Sequence, residues 1–283
     1  MKLSQAGIGL LLLAVLVTTS GCGVINRIRA KNEINEASRA YKAGKFAEAE
    51  QHSKRALELN PDDKNAPIFV ARTIHAQYKP GVETPENQAR ARAAIEAYKK
   101  LLEKNPNNEE AYKAIAALYG ALKEDETQRQ WITQRANQDS VPAAQRAEAY
   151  TVLASKDWNC SYEITEQPEN KQTVNKDGRP TIQFKKPKEQ KDFDQAQQCV
   201  ARGLEEAEKA ISLDPNNDTA WSFKTNLLLE SAKLAEMDGK LEDKAKFNQL
   251  AKEAQDKTTQ LSEQKQKQKE EEEAKKAPKQ PAS

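Results

Sequence analysis

Three prolines, Pro61, Pro106 and Pro215, recur with the same neighbours and constrain the fold more than any other feature of the chain. A small residue lies twelve positions before each proline, and two apolar residues lie five and four positions before it. A polar pair follows each proline, and an alanine lies five positions beyond it. These positions are Ala49, Ala56, Leu57 and Ala66 around the first proline, Ala94, Leu101, Leu102 and Ala111 around the second, and Gly203, Ala210, Ile211 and Ala220 around the third. The chain therefore contains an internal repeat.

The repeat predicts a series of helical hairpins. Small residues on one helix let the next helix approach closely, and a proline followed by Asn or Asp ends one helix and caps the next. The three prolines are 45 and 109 residues apart. These distances correspond to one repeat of about 34 residues plus an extra segment, and to two repeats plus a longer one. We expect the extra segments to be loops inserted within hairpins, because stacked repeats tolerate length there.

The segments Gly44-x-Phe46-x-x-Ala49 and Ala56-Leu57-x-x-x-Pro61, with Ala111-Tyr112 and Ala220-Trp221 at the starts of later units, resemble the tetratricopeptide repeat family. The resemblance implies an all-α fold, an α-solenoid of about five hairpins over residues 31–261. In this family the opening helices line a groove that holds extended peptides or partner helices. By resemblance in spacing, the groove residues here are Lys31, Tyr41, Lys42, Arg72, His75, Lys113, Trp158 and Asn226. Their basic and aromatic character favours a protein or peptide partner with an acidic or C-terminal carboxylate group.

The N-terminus carries the signals of export. Lys2 precedes an apolar run over residues 6–17, which is too short to span a bilayer as a stable helix but suits an export signal. The small residues that lead to Cys22 resemble the lipobox of bacterial lipoproteins. That resemblance implies a signal peptide over residues 1–21, a lipid on Cys22 and a linker over residues 22–30, at the periplasmic face of the cell envelope. Gly23 favours the outer membrane by the same resemblance, and an ordinary signal peptide or an uncleaved anchor is the alternative.

Cys160 and Cys199 bracket a polar insertion over residues 159–193 in the fourth hairpin. Two short β-like pieces, residues 162–165 and 181–184, flank Asp177-Gly178, so the insertion is either a small β-hairpin or an irregular loop. An oxidising compartment favours a disulfide between the two cysteines, worth about 4 kcal/mol in the chain-entropy model. The alternative is a pair of buried thiols.

Charge and composition argue against several functions. Lys and Arg number 45 and Asp and Glu 43, and a net charge of +2 does not suit a broad nucleic-acid surface. The three cysteines and two histidines have no metal-ligand spacing, and no phosphate-binding loop is present. We therefore predict no catalytic residue, no metal and no cofactor. Apolar positions stop after Leu261, so residues 262–283 are predicted to be a charged disordered tail or a frayed helix.

The leading hypothesis is a membrane-anchored scaffold that binds other proteins, with envelope assembly or secretion as the processes served. An alternative of another class is an enzyme or enzyme subunit with its site at the 159–193 insertion. A third is self-association through a long C-terminal helix, but this needs a heptad seam, and none is found after Leu261.

Overall fold

The computed structural model describes residues 6–176 and 178–276, and of residues 6–22, 176 and 276 it describes the backbone only. The side chain of Cys22, where lipidation is predicted, therefore lies outside the described part of the chain. The described elements are α1 (Ala6–Lys42), α2 (Phe46–Leu59), α3 (Ala66–His75), α4 (Pro85–Lys104), α5 (Glu109–Ala121), α6 (Asp125–Asn137), α7 (Ala143–Thr165), β1 (Lys171–Lys176), β2 (Arg179–Phe184), α8 (Gln190–Leu213), α9 (Asp218–Met237) and α10 (Leu241–Lys276), with a 3₁₀ turn at Pro168–Asn170.

The chain divides into two compact units, Met1–Gln128 and Arg129–Ser283, with the boundary inside α6. In the first unit each helix from α1 to α5 packs against the next one along the chain. In the second unit α7, α8, α9 and α10 pack in the same consecutive way, and α7 also contacts α9. The predicted all-α class built from tetratricopeptide-like hairpins is confirmed, whereas the single region 31–261 is replaced by two units.

The three proline turns have the same hydrogen bonds. The side-chain oxygens of Asp63, Asn108 and Asn217 accept from the backbone N–H three residues on, at 2.9 Å, 2.9 Å and 3.0 Å. Those N–H groups belong to the repeated alanines, which are fully buried. Each preceding helix ends at a residue with φ near −140°, as Asn60, Asn105 and Asp214 do. The turn chemistry read from the sequence is therefore present at all three prolines.

A second kind of turn joins the two helices within a hairpin. It occurs at Gly44, Lys123 and Gly239, whose φ values are 73°, 59° and 73°. At each of these turns the next residue donates its N–H to a carbonyl five positions earlier, with distances of 2.8–3.0 Å. Glycine adopts this left-handed conformation without strain. Lys123 adopts the same conformation although it is not a glycine, and its side chain makes an ion pair with Glu83. The turn at Lys123 therefore lacks the glycine that marks the other two turns.

The insertion in the fourth hairpin is shorter than predicted, because α7 continues to Thr165 and α8 already begins at Gln190. Residues 162–165 are therefore helical and not a strand. Ser161 and Thr165 donate to the buried Glu230 carboxylate at 3.1 Å and 2.7 Å, which draws this last turn of α7 onto α9. Tertiary hydrogen bonds thus override the local β propensity.

Between these helices the chain forms the β-hairpin that the sequence left open. β1 pairs antiparallel with β2, from Lys171 opposite Phe184 to Lys176 opposite Arg179. Phe184 packs on the core cluster that contains Phe193. The hairpin is therefore fastened to the second unit at its base.

Two further boundaries differ from prediction. The predicted linker 22–30 is part of α1, because Ala30 is buried and Glu33 bonds His52 of α2 at 2.6 Å. The predicted disordered tail is helical as far as Lys276. Its Lys, Glu and Gln residues have high helix propensity, and Lys265 pairs with Asp218 at 2.6 Å. Residues 277–283 lie outside the described part of the chain.

The predicted disulfide between Cys160 and Cys199 is present, with the two Cα atoms 6.1 Å apart. The two cysteines were expected to lie at the two ends of the inserted loop, and they do not. Both cysteines lie within helices, so the bond joins α7 to α8 above the β-hairpin. The disulfide therefore holds together the two helices that carry the insertion.

The small residue of the third repeat, Gly203, is required by close helix packing. A Cβ at this position would lie 2.6 Å from a methyl group of the fully buried Leu227 and 3.1 Å from Cβ of Asp157. Cβ of Asp157 is attached directly to the α7 backbone, and the Leu227 methyl belongs to a fully buried side chain, so neither group can move aside easily. The twelfth position before each proline is thus a contact point between helices, as the repeat indicated.

We expect Gly203→Ala to lower the free energy of unfolding by about 1–2 kcal/mol, although alanine is the better helix former. Urea unfolding followed by circular dichroism measures the change. Gly120→Ala is the matched control, since its nearest neighbour is the end of the Gln128 side chain. Equal stability of the two variants would show that the contact at Gly203 is not tight.

Candidate interaction surfaces

The first unit places three of its predicted groove residues, Tyr41, Arg72 and His75, against neighbouring side chains. The Tyr41 ring lies 6.0 Å from that of Phe69, measured between centroids. Arg72 donates from Nε and Nη2 to the two carboxylate oxygens of Glu110, which joins α3 to α5. The His75 ring stands perpendicular to that of Tyr98, with 5.9 Å between centroids. Aromatic rings and one bidentate ion pair therefore form this surface.

The ionisation of these groups follows from their partners and their burial. The hydrogen bonds from Arg72 to Glu110 raise the pKa of the guanidinium, so Arg72 stays charged near neutral pH. Burial lowers the pKa of His75. Burial, with a smaller contribution from the Glu110 charge, raises the pKa of Tyr98 to about 12. Near neutral pH both His75 and Tyr98 are uncharged, and His75 is a packing residue beside Tyr98.

The predicted basic character of the groove is largely neutralised. Arg72 is paired with Glu110, and Nζ of Lys113 lies 3.7 Å from a carboxylate oxygen of Glu109. Lys42 is exposed at the end of α1. Arg72 and Lys113 therefore no longer support the expectation of an acidic ligand, because the charge of each is balanced by a carboxylate of the same chain.

In the second unit, α7 and α9 present a continuous aromatic and aliphatic surface, which we call the aromatic strip. The Trp158 ring lies 5.1 Å from Tyr162 and 6.0 Å from Phe223, measured between centroids. The large apolar side chains of Val152, Tyr162 and Leu229 are 40%, 41% and 43% exposed. Asn226, the remaining predicted groove residue of this unit, is half-buried on α9. The members of the strip are Val152, Trp158, Tyr162, Phe223, Asn226 and Leu229.

A polar cavity of about 410 Å³ opens at one end of the aromatic strip. Thr151 and Ser155 of α7 line it together with Phe223 of α9. The ion pair between Asp218 and Lys265 forms its opposite wall. The strip therefore leads from an apolar surface into a polar recess within the same unit.

Behind the strip, four charged side chains form a mostly buried network. Asp157 is buried and receives hydrogen bonds from Arg129 at 2.9 Å and Arg202 at 3.0 Å. Arg129 also contacts Oε1 of Glu206 at 2.5 Å, while Oε2 of Glu206 is buried without a hydrogen-bond partner. Desolvation and the charge of Asp157 raise the pKa of Glu206 to about 8, against the attraction of the two arginines. The network fixes the side chain of Asp157, the residue before Trp158 on α7.

The sequence analysis missed Tyr162 and Leu229 because the predicted helix ended at Trp158 and the open face of α9 was represented by Asn226 alone. Helical periodicity carried the signal, since Tyr162 follows Trp158 by four residues and Leu229 follows Asn226 by three. It also missed Glu110, which no local pattern connects to Arg72. Ion pairs between helices far apart in sequence are decided by packing.

Among the described residues, no group of three or more His, Cys, Asp or Glu side chains is placed to hold a metal ion. In that same part of the chain, no helix has both the length and the apolar character needed to cross a bilayer. At the insertion, Lys233 contacts Glu166 and Glu230 at 2.5 Å and 2.7 Å, and Lys171 contacts Glu166 at 3.0 Å. These charged groups fasten the β-hairpin to α9.

The chain has a tetratricopeptide-like fold. The consecutive helix pairs, the three capped proline turns and the buried small residues decide this. No protein-family model matches the chain, and no curated protein matches it.

Several solved structures are distantly similar. MamA residues 41–end from Desulfovibrio magneticus RS-1 is 14% identical over 83% of this chain and 96% of that one, with a TM-score of 0.41. PilF of Pseudomonas aeruginosa is 13% identical over 84% and 99%, with a TM-score of 0.38. A tetratricopeptide repeat protein from Parabacteroides merdae is 14% identical over 82% and 99%, with a TM-score of 0.33.

The raised pKa of Glu206 predicts a specific pH dependence of stability. Between the unfolded value of 4.5 and the folded value of about 8, the folded chain binds more protons than the unfolded chain, so this contribution is lost as pH rises. Glu206→Gln imitates the protonated form, so we expect its unfolding midpoint to exceed that of the parent increasingly from about pH 5 to pH 8. Thermal unfolding across this range measures the difference. Glu205→Gln, at a neighbouring exposed carboxylate, is the control, and parallel profiles for Glu206→Gln and the parent would contradict the prediction.

Proposed function

We propose that this chain is a protein-binding scaffold of the bacterial cell envelope, which binds segments of other proteins on the aromatic strip while a lipid on Cys22 holds it to a membrane. The observation that carries the binding part is the exposure of Val152, Tyr162 and Leu229 along the neighbouring helices α7 and α9. Contiguous exposed apolar surface of this kind marks interaction sites. Trp158 and Phe223 also pack against the core residues Ala154, Ala207 and Leu227, so the rings of the strip are held in place while remaining partly exposed.

The chemistry of the strip suits a peptide or helix with apolar side chains. Trp and Tyr are the residues most enriched among those that dominate binding energy at protein interfaces. Asn226 lies among them and offers both a donor and an acceptor for a bound backbone. The polar recess at Thr151 and Ser155 takes a polar group next to the apolar ones. Such a surface recognises a partner by shape and apolar contact more than by charge.

The groove residues of the first unit belong to the same proposal as a second, more polar surface. Tyr41 and Phe69 offer aromatic contact there. The Arg72–Glu110 pair offers a rigid hydrogen-bonding edge with no net charge. A partner segment that carries both polar and aromatic groups fits this surface.

The location rests on the N-terminal sequence. Lys2, the apolar run over residues 6–17 and the small residues before Cys22 support export and lipidation, and Gly23 supports the outer membrane. Several acyl chains on one cysteine give stable membrane attachment, because each buried methylene contributes about 0.8 kcal/mol. Envelope assembly or secretion is the process that we propose for the scaffold.

The binding proposal predicts that Leu229→Arg weakens partner binding by about tenfold or more, equivalent to about 1.4 kcal/mol. A cation within the strip must be desolvated when a partner covers it. Tagged full-length chain expressed in its own host, captured from detergent-solubilised envelopes and compared by quantitative mass spectrometry, measures the loss. Leu250→Arg places the same change on α10 away from the strip, and equal loss in both variants, with the fold intact by circular dichroism, contradicts the proposal.

The attachment proposal predicts that the mature chain begins at Cys22 and carries the mass of its acyl chains. Intact mass spectrometry of the chain from its own host detects both features at once. Cys22→Ser removes the acylation site and should release the chain from the membrane fraction or leave the leader attached. A mature chain that starts at another residue, or that lacks lipid mass, refutes lipidation and leaves the binding proposal untouched.

A further inference from the structure

The part of α1 that follows Cys22 carries an exposed apolar face that none of the described helices covers. Val24, Ile25 and Ile28 are 58%, 50% and 58% exposed, the largest group of adjacent exposed aliphatic residues in the described chain. With about 100° between successive residues of an α-helix, these three side chains share an arc of about 100°.

The opposite side of the helix is the one that packs. Ala30 and Ala37 are buried, and Glu33 contacts His52 of α2 at 2.6 Å. These residues lie roughly half a turn around α1 from Val24 and Ile28. The exposed aliphatic face therefore points away from α2, and the first unit leaves it open.

Basic residues flank the apolar arc on both of its edges. Arg27 and Lys31 lie on one side and Arg29 on the other, all of them exposed. The chain from Gly23 to Asn32 holds these three cations and no carboxylate. An apolar face bordered by cations is complementary to a bilayer surface, where side-chain stems enter the acyl boundary and the charged ends meet headgroup phosphates.

We propose that this face, defined by Val24, Ile25 and Ile28 with Arg27, Arg29 and Lys31 at its edges, binds the surface of an anionic lipid bilayer. It follows directly on Cys22 along the chain, so a lipid on that residue places the face at the headgroups. The inference depends on the proposed lipid attachment in one respect, namely which end of α1 meets the membrane. The bound face orients α1, and with it the first unit, relative to the bilayer.

The test uses the full-length chain reconstituted into vesicles, with a tryptophan as a reporter of lipid contact. Ile28→Trp places it in the face, and Lys45→Trp places it in the exposed turn at the far end of α1. Vesicles contain brominated phosphatidylcholine alone or with about one-third brominated phosphatidylglycerol. The parent chain, with its three tryptophans, provides the baseline for bromine quenching.

We expect strong quenching of the tryptophan at 28 in the anionic vesicles and only baseline quenching of the one at 45. Changing Arg27, Arg29 and Lys31 together to Glu should abolish the extra quenching while the chain still floats with the vesicles. In neutral vesicles the local contact should weaken by about fivefold for each cation that loses its anionic partner. The unchanged flotation separates loss of the face from loss of attachment.

Two results overturn the proposal. The first is baseline quenching at position 28 in chain that floats with anionic vesicles. The second is a position-28 signal that depends on the ratio of protein to lipid and not on lipid charge, which shows that a second copy of the chain covers the face. Intact mass at Cys22 keeps the two proposals apart, because quenching without lipid mass refutes only the lipidation, and lipid mass without quenching refutes only the membrane-binding face.

Discussion

The hydrogen bond that the N–H of a buried alanine donates to an Asp or Asn side chain is the interaction on which the repeat architecture depends. It occurs after each of the three prolines and satisfies a backbone donor that the start of a helix leaves unpaired. The same alanine is small enough to let the preceding helix lie close. One residue pair thus caps a helix and lets the preceding helix lie close to it, which is why the pattern survives long insertions between repeats.

The insertions show how much freedom this arrangement leaves. Residues 76–84 form a loop between α3 and α4, tied down by Asn87, which bonds the backbone N–H and carbonyl of Lys79 at 2.8 Å each. The longer insertion ends in a β-hairpin held by Phe184 and by the charged groups around Lys233. In both cases side chains of the regular helices bond to the added segment and hold it in place. The hairpins on either side therefore keep their packing.

Charged groups in this chain form specific contacts within each unit. Arg72 is paired with Glu110, and Asp157 with two arginines, whereas the aromatic strip and the aliphatic face of α1 expose apolar side chains. The aromatic strip lies on the second unit, and the aliphatic face of α1 lies on the first. The near balance of 45 basic and 43 acidic residues therefore does not reveal that the chain has two chemically different surfaces. We propose that one binds protein segments and the other binds lipid.

The sequence by itself determined the local rules of this protein, namely the repeat period, the proline turns, the small residues at helix contacts and the cysteine pair, because each rests on the properties of a few neighbouring residues. Tertiary structure decided where helices stop and which charges meet. The last turn of α7 is helical through Thr165, where Thr165 and the preceding Ser161 donate hydrogen bonds to Glu230 of α9, and residues 22–30 are part of α1, which packs on α2. Glu110 neutralises Arg72 from a helix 38 residues along the chain. Contacts between residues this far apart depend on how whole helices pack, and no local pattern encodes that packing.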